Sequence, residues 1–245
     1  MTDPIHEFNA EKENRINNYA NNESLKAAAR EFNNASNSSQ YSYNFTWMGR
    51  PIIQYPQDII AMQEIIWDIK PDLIIETGIA HGGSLIYYAS ILELIGKGQV
   101  LGIDIDIRKH NKEEIEKHPM FKRISMIEGS SIADSTYQEV KKIAEKNKTI
   151  LVVLDSNHTH EHVLRELQLY APLVSVGSYA VVFDTIVEDL PEGYFNQQRP
   201  WGIGDNPKTA VWEFLKSNDD FEINKSIDNK LLISVAPDGY LKRIK

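Results

Sequence analysis

The feature that most constrains the fold is an apolar run that ends in an acid and opens into a glycine-rich turn, residues 72–84, with the sequence DLIIETGIAHGGS. An uninterrupted apolar run is typical of a parallel strand buried on both faces. Glycines in the following turn let backbone N–H groups approach a ligand at the start of the next helix. The run therefore indicates a nucleotide-type binding turn of an α/β fold. The alternative interpretation is that the glycines only close a tight turn.

The turn differs from a nicotinamide-binding fingerprint in two ways. An acid, Glu76, stands at the strand tip, and Gly78 is followed by Ile-Ala-His where the G-x-G-x-x-G pattern needs a second glycine two residues on. A carboxylate at this place suits a cationic or amine-bearing ligand. The turn supplies our first candidate cofactor-binding residues, which are Glu76, Gly78, His81, Gly82, Gly83 and Ser84.

Composition limits the class of protein. With 245 residues, 42% of them hydrophobic and 25% charged, the chain suits one substantial α/β domain with an appended segment. The absence of cysteine excludes a disulfide scaffold and every thiolate metal site, and it fits a reducing cytoplasm. A net charge of -9 argues against nucleic acid as a partner, since binding along a phosphate backbone needs a basic surface.

The sequence shows no sign of export or of membrane insertion. Its first residues lack a basic region followed by an apolar one. No later run approaches the roughly 20 apolar residues that a membrane span needs. We therefore expect a soluble, cytoplasmic protein.

The N-terminal segment is predicted to be an appendage. Residues 5–32 carry apolar side chains at helical spacing, and residues 33–39 are polar and of low complexity. We interpret residues 1–40 as a helical extension and linker, and residues 41–245 as the main domain. Because the apolar positions of the extension lie outside that domain, we expect them to assemble a homo-oligomer.

The main domain begins with aromatic and proline residues at 41–56, which favour an irregular lid or wall, and with a helical pattern at 57–69. Strands and helices then alternate. Strands are predicted at 73–76, 100–104, 124–127, 150–154 and 179–183, and helices at about 84–95, 111–117, 133–146 and 160–170. A long loop at 188–206, a helix at 207–216 and closing strands at 221–224 and 231–235 follow. This order predicts an α/β fold with a doubly wound, mostly parallel, seven-stranded Rossmann-like sheet.

Polar residues at two further strand ends extend the candidate site. Asp104 and Asp106 follow the second strand, where a carboxylate can accept hydrogen bonds from both hydroxyls of a ribose. We assign that role to Asp104 first, with an ordinary solvated acid as the alternative. Ser130 follows the third strand, where small polar residues suit the edge of an adenine.

The fourth and fifth strands end in carboxylates that we interpret as metal ligands. Asp155 and, three residues on, His158 follow the fourth strand, and Asp184 follows the fifth. The carboxyl ends of parallel strands meet at one crevice. Two carboxylates converging there repel each other unless a cation lies between them, and hard divalent ions prefer oxygen donors.

The histidines after the fourth strand permit a second interpretation. His158, His160 and His162 could form a zinc site, but an H-E-x-x-H motif and a cysteine partner are both missing from the sequence. We instead assign His158 as a general base, with helix capping as the alternative. His160 and His162 are interpreted as cap or surface residues.

Together these motifs resemble the cephalosporin hydroxylase family, which also takes in rhamnosyl O-methyltransferases and is similar to metal-dependent macrolide-sugar O-methyltransferases. The resemblance spans about 47–243 and includes the stretches 71–84, 102–106, 155–158, 177–185 and 204–207. It implies the fold of a class I methyltransferase, with S-adenosylmethionine as cofactor and a divalent metal, Mg²⁺ first, with Mn²⁺ or Fe²⁺ as alternatives.

The resemblance also implies roles for individual residues. The stretch 76–84 would hold the methionine and sulfonium portion of the cofactor, Asp104 the ribose and His158 the transferred proton, with Asp155 and Asp184 on the metal. One position departs from the family: Phe183 stands where related enzymes commonly have a glutamate before the aspartate. Thr185, a water or another acid could replace the missing ligand.

The activity that we expect is metal-dependent transfer of a methyl group from S-adenosylmethionine to a hydroxyl of a sugar, nucleotide-linked sugar or glycosylated metabolite. Specificity would lie in the segments at 41–56 and 188–206. One alternative is an oxygenase, although the sequence has no His-x-Asp/Glu motif for the usual iron site. Another is a catalytically silent nucleotide-binding subunit, which the replacement at Phe183 suggests.

Overall fold

The computed structural model describes residues 3–194 and 199–245. It begins with two helices, α1 (Pro4–Tyr19) and α2 (Glu23–Ser38), followed by a short hairpin of β1 (Phe45–Trp47) and β2 (Arg50–Ile52). Helix α3 (Pro56–Ile69) then leads into the sheet, as its apolar face predicted.

A seven-stranded sheet forms the centre of the main domain. Its strands are β3 (Leu73–Thr77), β4 (Gln99–Asp104), β5 (Ile124–Glu128), β6 (Ile150–Leu154), β7 (Tyr179–Val182), β8 (Phe221–Ile223) and β9 (Tyr240–Arg243). Their spatial order is β5-β4-β3-β6-β7-β9-β8. The first five are parallel, and β9 lies antiparallel between β7 and β8. The predicted doubly wound, mostly parallel sheet is confirmed.

Helices cover both faces of this sheet. They are α4 (Gly83–Ile95), α5 (Lys109–Lys117), α6 (Asp134–Ala144), α7 (His160–Tyr170), α8 (Pro207–Lys216) and α9 (Lys225–Leu231). Successive side chains of β3 enter different cores, since Ile74 packs with α3 and α4 while Ile75 packs with α6, α7 and α8. Burial on both faces explains why the strands read as continuous apolar runs. Among the described helices, none has both the length and the apolar character to cross a membrane.

The chain order reverses at β3, because β4 lies on one side of it and β6 on the other. In open α/β sheets, ligands bind outside the carboxyl ends of the strands at such a reversal. This topology places the ends of β3, β4, β6 and β7 around one crevice.

The N-terminal segment differs from the prediction. Residues 33–38, predicted as a linker, form the last turns of α2. Asn33 and Ser36 are buried there, and Ser36 Oγ and Asn37 Nδ2 lie 2.9 and 2.7 Å from the Tyr55 hydroxyl. These tertiary hydrogen bonds stabilise a helix whose asparagines and serines disfavour it locally. Residues 41–56 are also more regular than predicted, since they include the hairpin.

The predicted closing strand at 231–235 is wrong. Helix α9 ends at Leu231, and the strand that completes the sheet is β9. The reason is a buried carboxylate on α3: Asp58 accepts hydrogen bonds from Ser234 Oγ at 2.6 Å and from the Val235 amide at 2.9 Å. The apolar run is therefore buried by docking on α3 instead of by pairing with a strand.

Candidate active site

The turn between β3 and α4 is tightly packed against the neighbouring strand. Gly78 has a φ of +90°, and a Cβ placed on it would lie 2.0 Å from the Asp155 carbonyl oxygen. Gly82, with a φ of +79°, is the N-cap of α4. These two glycines therefore close a turn that no larger residue would allow, and they bring the ends of β3 and β6 together.

Glu76 lies behind this turn, fully buried. Its Oε2 accepts a hydrogen bond of 2.7 Å from Ser84 Oγ in the first turn of α4. Burial raises the pKa of Glu76 to about 8, although the hydrogen bond from Ser84 opposes that effect. A buried carboxyl with a raised pKa is prepared for a cationic partner, whose charge would favour the ionised form.

Asp104 holds the same turn from the end of β4. Its Oδ2 accepts from the amides of Ile79 at 2.8 Å and Ala80 at 3.3 Å, and its Oδ1 from the amide of Asp106 at 3.1 Å. Beside it lies a cavity of about 130 Å³ at the ends of β3, β4, β5 and β6. The predicted residues Gly78, Asp104 and Ser130 line this cavity together with Ile103, Ile105, Ser131, Ser156, Asn157 and His162.

The other predicted cofactor residues lie in two different places. His81, Gly83 and Ser84 line a second, smaller hollow of about 30 Å³, whose opposite wall is the segment 51–54. Arg50 Nη2 donates to the His81 carbonyl at 2.7 Å and so fastens the hairpin to the turn. Asp106 is exposed and lines neither cavity.

Asp155, His158 and Asp184 form one cluster at the ends of β6 and β7. One ligand atom from each lies within 4.8 Å of the other two. His158 Nδ1 is 3.2 Å from Asp184 Oδ2. Burial, the Asp184 charge and the Glu76 charge all raise the pKa of Asp155 well above its ordinary value. A cation between these carboxylates would favour the ionised form of both.

The residues around Asp184 indicate which group lies beside the two aspartates, since Phe183 replaces the glutamate common in related enzymes. Phe183 is 2% exposed and belongs to the hydrophobic core. The Thr185 hydroxyl donates to the Pro237 carbonyl at 2.7 Å, so it is not directed at the cluster. His158, not Thr185, is the third group beside the two aspartates. Asp184 itself adopts a φ of +54°, an uncommon conformation for a residue other than glycine.

The three histidines in residues 158–162 have different neighbours. His158 precedes α7, whose N-cap is Thr159, so helix capping does not explain it. His160 Nδ1 lies 2.8 Å from Thr209 Oγ1, and its Nε2 lies 3.2 Å from Glu213. Within the described chain, the three imidazoles therefore do not assemble the zinc site considered above.

His162 is a site residue that the sequence analysis missed. Its Nε2 lies 3.1 Å from Ser131 Oγ and 3.2 Å from Ser156 Oγ, all three at the cavity beside Asp104. The buried Glu166 is one helical turn on and accepts from Ser156 Oγ at 2.7 Å. The i, i+4 spacing of His162 and Glu166 was the available signal, since it places both on one face of α7.

The segment 199–206 covers His158. Trp201 meets the imidazole edge-on, with ring centroids 4.8 Å apart. Asp205 Oδ1 accepts from the His160 amide at 2.7 Å, and Asn206 caps α8 through a capping box. These contacts hold residues 199–206 against His158 and α7. Residues 195–198 of the predicted loop at 188–206 lie outside the described residues.

Comparison with known proteins agrees with this architecture. The family model for rhamnosyl O-methyltransferase/CmcI matches residues 39–244. The rhamnosyl O-methyltransferase of Mycobacterium bovis (strain BCG / Pasteur 1173P2) is 30% identical over 201 residues, which are 81% of this chain and 78% of that protein. The Mycobacterium leprae (strain TN) protein of the same name is 31% identical, covering 81% of this chain and 82% of its own.

Solved structures show the same fold. An apo structure of CmcI superposes with a TM-score of 0.59 at 18% identity, covering 83% of this chain and 77% of CmcI. The O-methyltransferase from Bacillus cereus in complex with SAH gives a TM-score of 0.52 at 15% identity, covering 82% of each chain. The resemblance drawn from the sequence motifs is confirmed: the chain belongs to the rhamnosyl O-methyltransferase/CmcI family of S-adenosylmethionine-dependent O-methyltransferases, and its fold is that of class I.

Proposed function

We propose that this protein transfers a methyl group from S-adenosylmethionine to a hydroxyl of a sugar, nucleotide-linked sugar or glycosylated metabolite, with the help of a divalent metal. The observation that carries the proposal is the cluster of Asp155, His158 and Asp184 at the strand ends next to the glycine turn. The relatives named rhamnosyl O-methyltransferases support a sugar hydroxyl as the acceptor.

The cavity beside Asp104 suits the adenosine of the cofactor. Asp104 retains lone pairs that can accept from ribose hydroxyls, while Ser130 and His162 offer polar atoms to the edge of a base. Ile105 is 74% exposed at the cavity, where an aliphatic side chain can cover the face of an adenine. Glu76 and Ser84 lie on the opposite side of the glycine turn, where we place the amino acid end of the cofactor.

The donor set of the cluster fits a divalent cation. Two carboxylates are ligands that Mg²⁺, Mn²⁺ and Fe²⁺ accept, and Mg²⁺ prefers oxygen donors. The raised pKa of Asp155 supports a cation at this place, because positive charge nearby would favour the ionised carboxylate. We assign Asp155 and Asp184 to the metal, and a solved structure of CmcI with Mg and SAM supports Mg²⁺ as the cation. When bound, such a cation lowers the pKa of the acceptor hydroxyl.

His158 is then the residue that removes the acceptor proton. The Asp184 carboxylate lies 3.2 Å from Nδ1, where its charge favours the tautomer that carries the proton on Nδ1 and leaves Nε2 free to take a proton. Trp201 packs against the ring and limits its rotation. As the proton passes to Nε2, the acceptor oxygen forms a bond to the methyl carbon, and the carbon–sulfur bond breaks with its electron pair remaining on sulfur.

Calorimetry and product analysis test the proposed function. We expect binding of S-adenosylhomocysteine by the full chain, and we expect Mg²⁺ binding that depends on Asp155. Rhamnosides and nucleotide sugars incubated with S-adenosylmethionine should gain the mass of one methylene in the presence of Mg²⁺. A protein that binds neither the cofactor product nor the metal would contradict the proposal. A protein that binds S-adenosylhomocysteine but forms no methylated product with or without Mg²⁺ would support a silent nucleotide-binding subunit.

Replacing Asp104 with alanine is expected to weaken cofactor binding by tens of times. The carboxylate would lose its ribose contact and its hold on the Ile79 and Ala80 amides, and a charged hydrogen bond contributes about 1.5–3 kcal/mol. The measurement is calorimetric titration of the folded variant with S-adenosylhomocysteine. Asp106→Ala is the matched control, since Asp106 lines neither cavity. Equal affinity in the Asp104 variant and the control would remove Asp104 from the site.

We also propose that the N-terminal helices assemble a homo-oligomer. In α1 Ile16 is buried, whereas Ile5 and Phe8 are largely exposed on the same helix. In this proposal residues 1–40 form an extension joined to a methyltransferase domain of residues 41–245.

Deleting residues 1–20 is expected to lower the subunit number while cofactor binding persists. This deletion keeps α2, whose Ser36 and Asn37 support Tyr55. Light scattering after size-exclusion chromatography measures the subunit number, and calorimetry measures the binding. An unchanged subunit number would show that α1 plays no part in assembly.

A further inference from the structure

A group of buried side chains behind the glycine turn has hydrogen-bonding atoms without partners. Gln54 is 2% exposed, and neither its Oε1 nor its Nε2 makes a hydrogen bond to any residue that the structure describes. Glu76 Oε1 and the Tyr88 hydroxyl also have no hydrogen-bond partner among the described residues. Of eight such side-chain atoms in the described ranges, these three residues supply four. Native proteins leave few buried polar atoms unpaired, so this concentration indicates a ligand or ordered water.

The three side chains are neighbours. Burial raises the pKa of Glu76, and the nearby Tyr88 lowers it in part. Burial also raises the pKa of Tyr88, and the nearby Gln54 lowers it in part. They are close enough to interact, yet no pair of these four atoms is aligned as a hydrogen bond. Their donors and acceptors are therefore available to a third group.

Gln54 reaches the cofactor site through the smaller hollow. It lines that hollow with Gly83 and Ser84, and Ser84 in turn donates to Glu76. The backbone before Gln54 is held in place, because a Cβ on Gly83 would lie 2.1 Å from the Pro51 carbonyl oxygen. Arg50 fastens the same strand to the His81 carbonyl. The position of Gln54 is thus set by contacts with the turn itself.

The chemistry of the unpaired atoms specifies the ligand. An amide side chain offers one donor group and one acceptor, and Glu76 Oε1 adds an acceptor. An α-amino acid zwitterion presents the complement, a carboxylate that accepts and an ammonium that donates. We propose that Gln54 binds the amino acid end of S-adenosylmethionine. Its Nε2–H donates to the ligand carboxylate, and its Oε1 accepts from the ligand ammonium beside Glu76. This assignment rests on the proposed cofactor function of the turn.

Two ligands that differ only at that end test the assignment. S-adenosylhomocysteine carries the amino acid group, and 5′-methylthioadenosine has the same adenosine and thioether without it. For Gln54→Leu in the full chain, we expect the Kd of S-adenosylhomocysteine to rise about 10–100-fold. The Kd of 5′-methylthioadenosine should stay within about twofold. Ile105→Ala is the control at the adenosine end, and it should weaken both ligands by similar factors.

Thermal unfolding of the ligand-free variants separates binding from a structural role. Because Gln54 makes no hydrogen bond to the described protein, Gln54→Leu should melt no lower than the wild type. Gln54→Met serves as a second variant of similar volume. An unchanged affinity for S-adenosylhomocysteine would overturn the assignment, and so would an equal loss for both ligands, which is the result expected of a residue that binds structural water. Failure of the wild type to bind either ligand would instead refute the proposed function.

Discussion

Replacement of His158 by alanine should lower turnover by about 10²–10⁴-fold, the usual contribution of a positioned general base. The imidazole lies 3.2 Å from Asp184 and packs against the Trp201 ring, and these contacts position it at the cluster. Steady-state kinetics with a saturating acceptor measures the loss of turnover. Calorimetry should show an affinity for S-adenosylhomocysteine within about twofold of the wild type, because His158 does not line the adenosine cavity.

The neighbouring histidine provides the control for this prediction. His160 contacts Thr209 and Glu213 instead of the aspartates, so His160→Ala should keep nearly full turnover. Mg²⁺ titration distinguishes two roles of His158, since loss of a base leaves metal affinity unchanged whereas loss of a metal ligand weakens it. A kinetically normal His158→Ala enzyme would exclude both roles and favour a transferase that acts by proximity.

Replacement of Asp155 by asparagine should abolish metal-dependent activity, with a loss on the order of 10³-fold. Charge stabilisation by a bound cation contributes several kcal/mol, and each 1.36 kcal/mol is about tenfold in rate. Asparagine keeps the shape of the side chain but removes the charge that attracts the cation. Activity of the wild type should likewise disappear with a chelator and return with Mg²⁺, measured by formation of methylated product.

The stability of the same variant gives an independent readout. In the folded protein the pKa of Asp155 is raised, so folding disfavours its ionised form. The free energy of unfolding therefore falls as the pH rises from the ordinary aspartate pKa toward the pKa of Asp155 in the folded protein. At neutral pH, metal-free Asp155→Asn should therefore melt no lower than the wild type. Mg²⁺ should raise the melting temperature of the wild type and not that of the variant. Full activity after exhaustive chelation would overturn the metal assignment.

Much of the candidate site could be predicted because it follows from local patterns. Apolar runs mark β3, β4, β6 and β7 as buried strands, and the carboxyl ends of parallel strands meet at one edge of the sheet. Asp104, Asp155 and Asp184 come directly after such runs. Their convergence therefore needs only the strand order, and the alternation of strands and helices restricts that order to few choices.

Other features depend on contacts between distant parts of the chain. Residues 231–235 have the composition of a strand, but Asp58 on α3 accepts hydrogen bonds from this segment. The strand that pairs with β7 is β9 instead. The end of α2 has the composition of a linker, yet its polar residues find buried partners at Tyr55. In both cases a tertiary hydrogen bond outweighs the local preference.

By itself, the sequence determined the fold class, the family motifs and the acids at the strand tips, because hydrophobic periodicity and strand-end position are local properties. Only the tertiary structure decided which side chains complete the site. His162 faces Ser131, and Gln54 lies among unpaired atoms near Glu76. Each of these pairings joins different elements, so its geometry and burial arise only when the helices dock on the sheet.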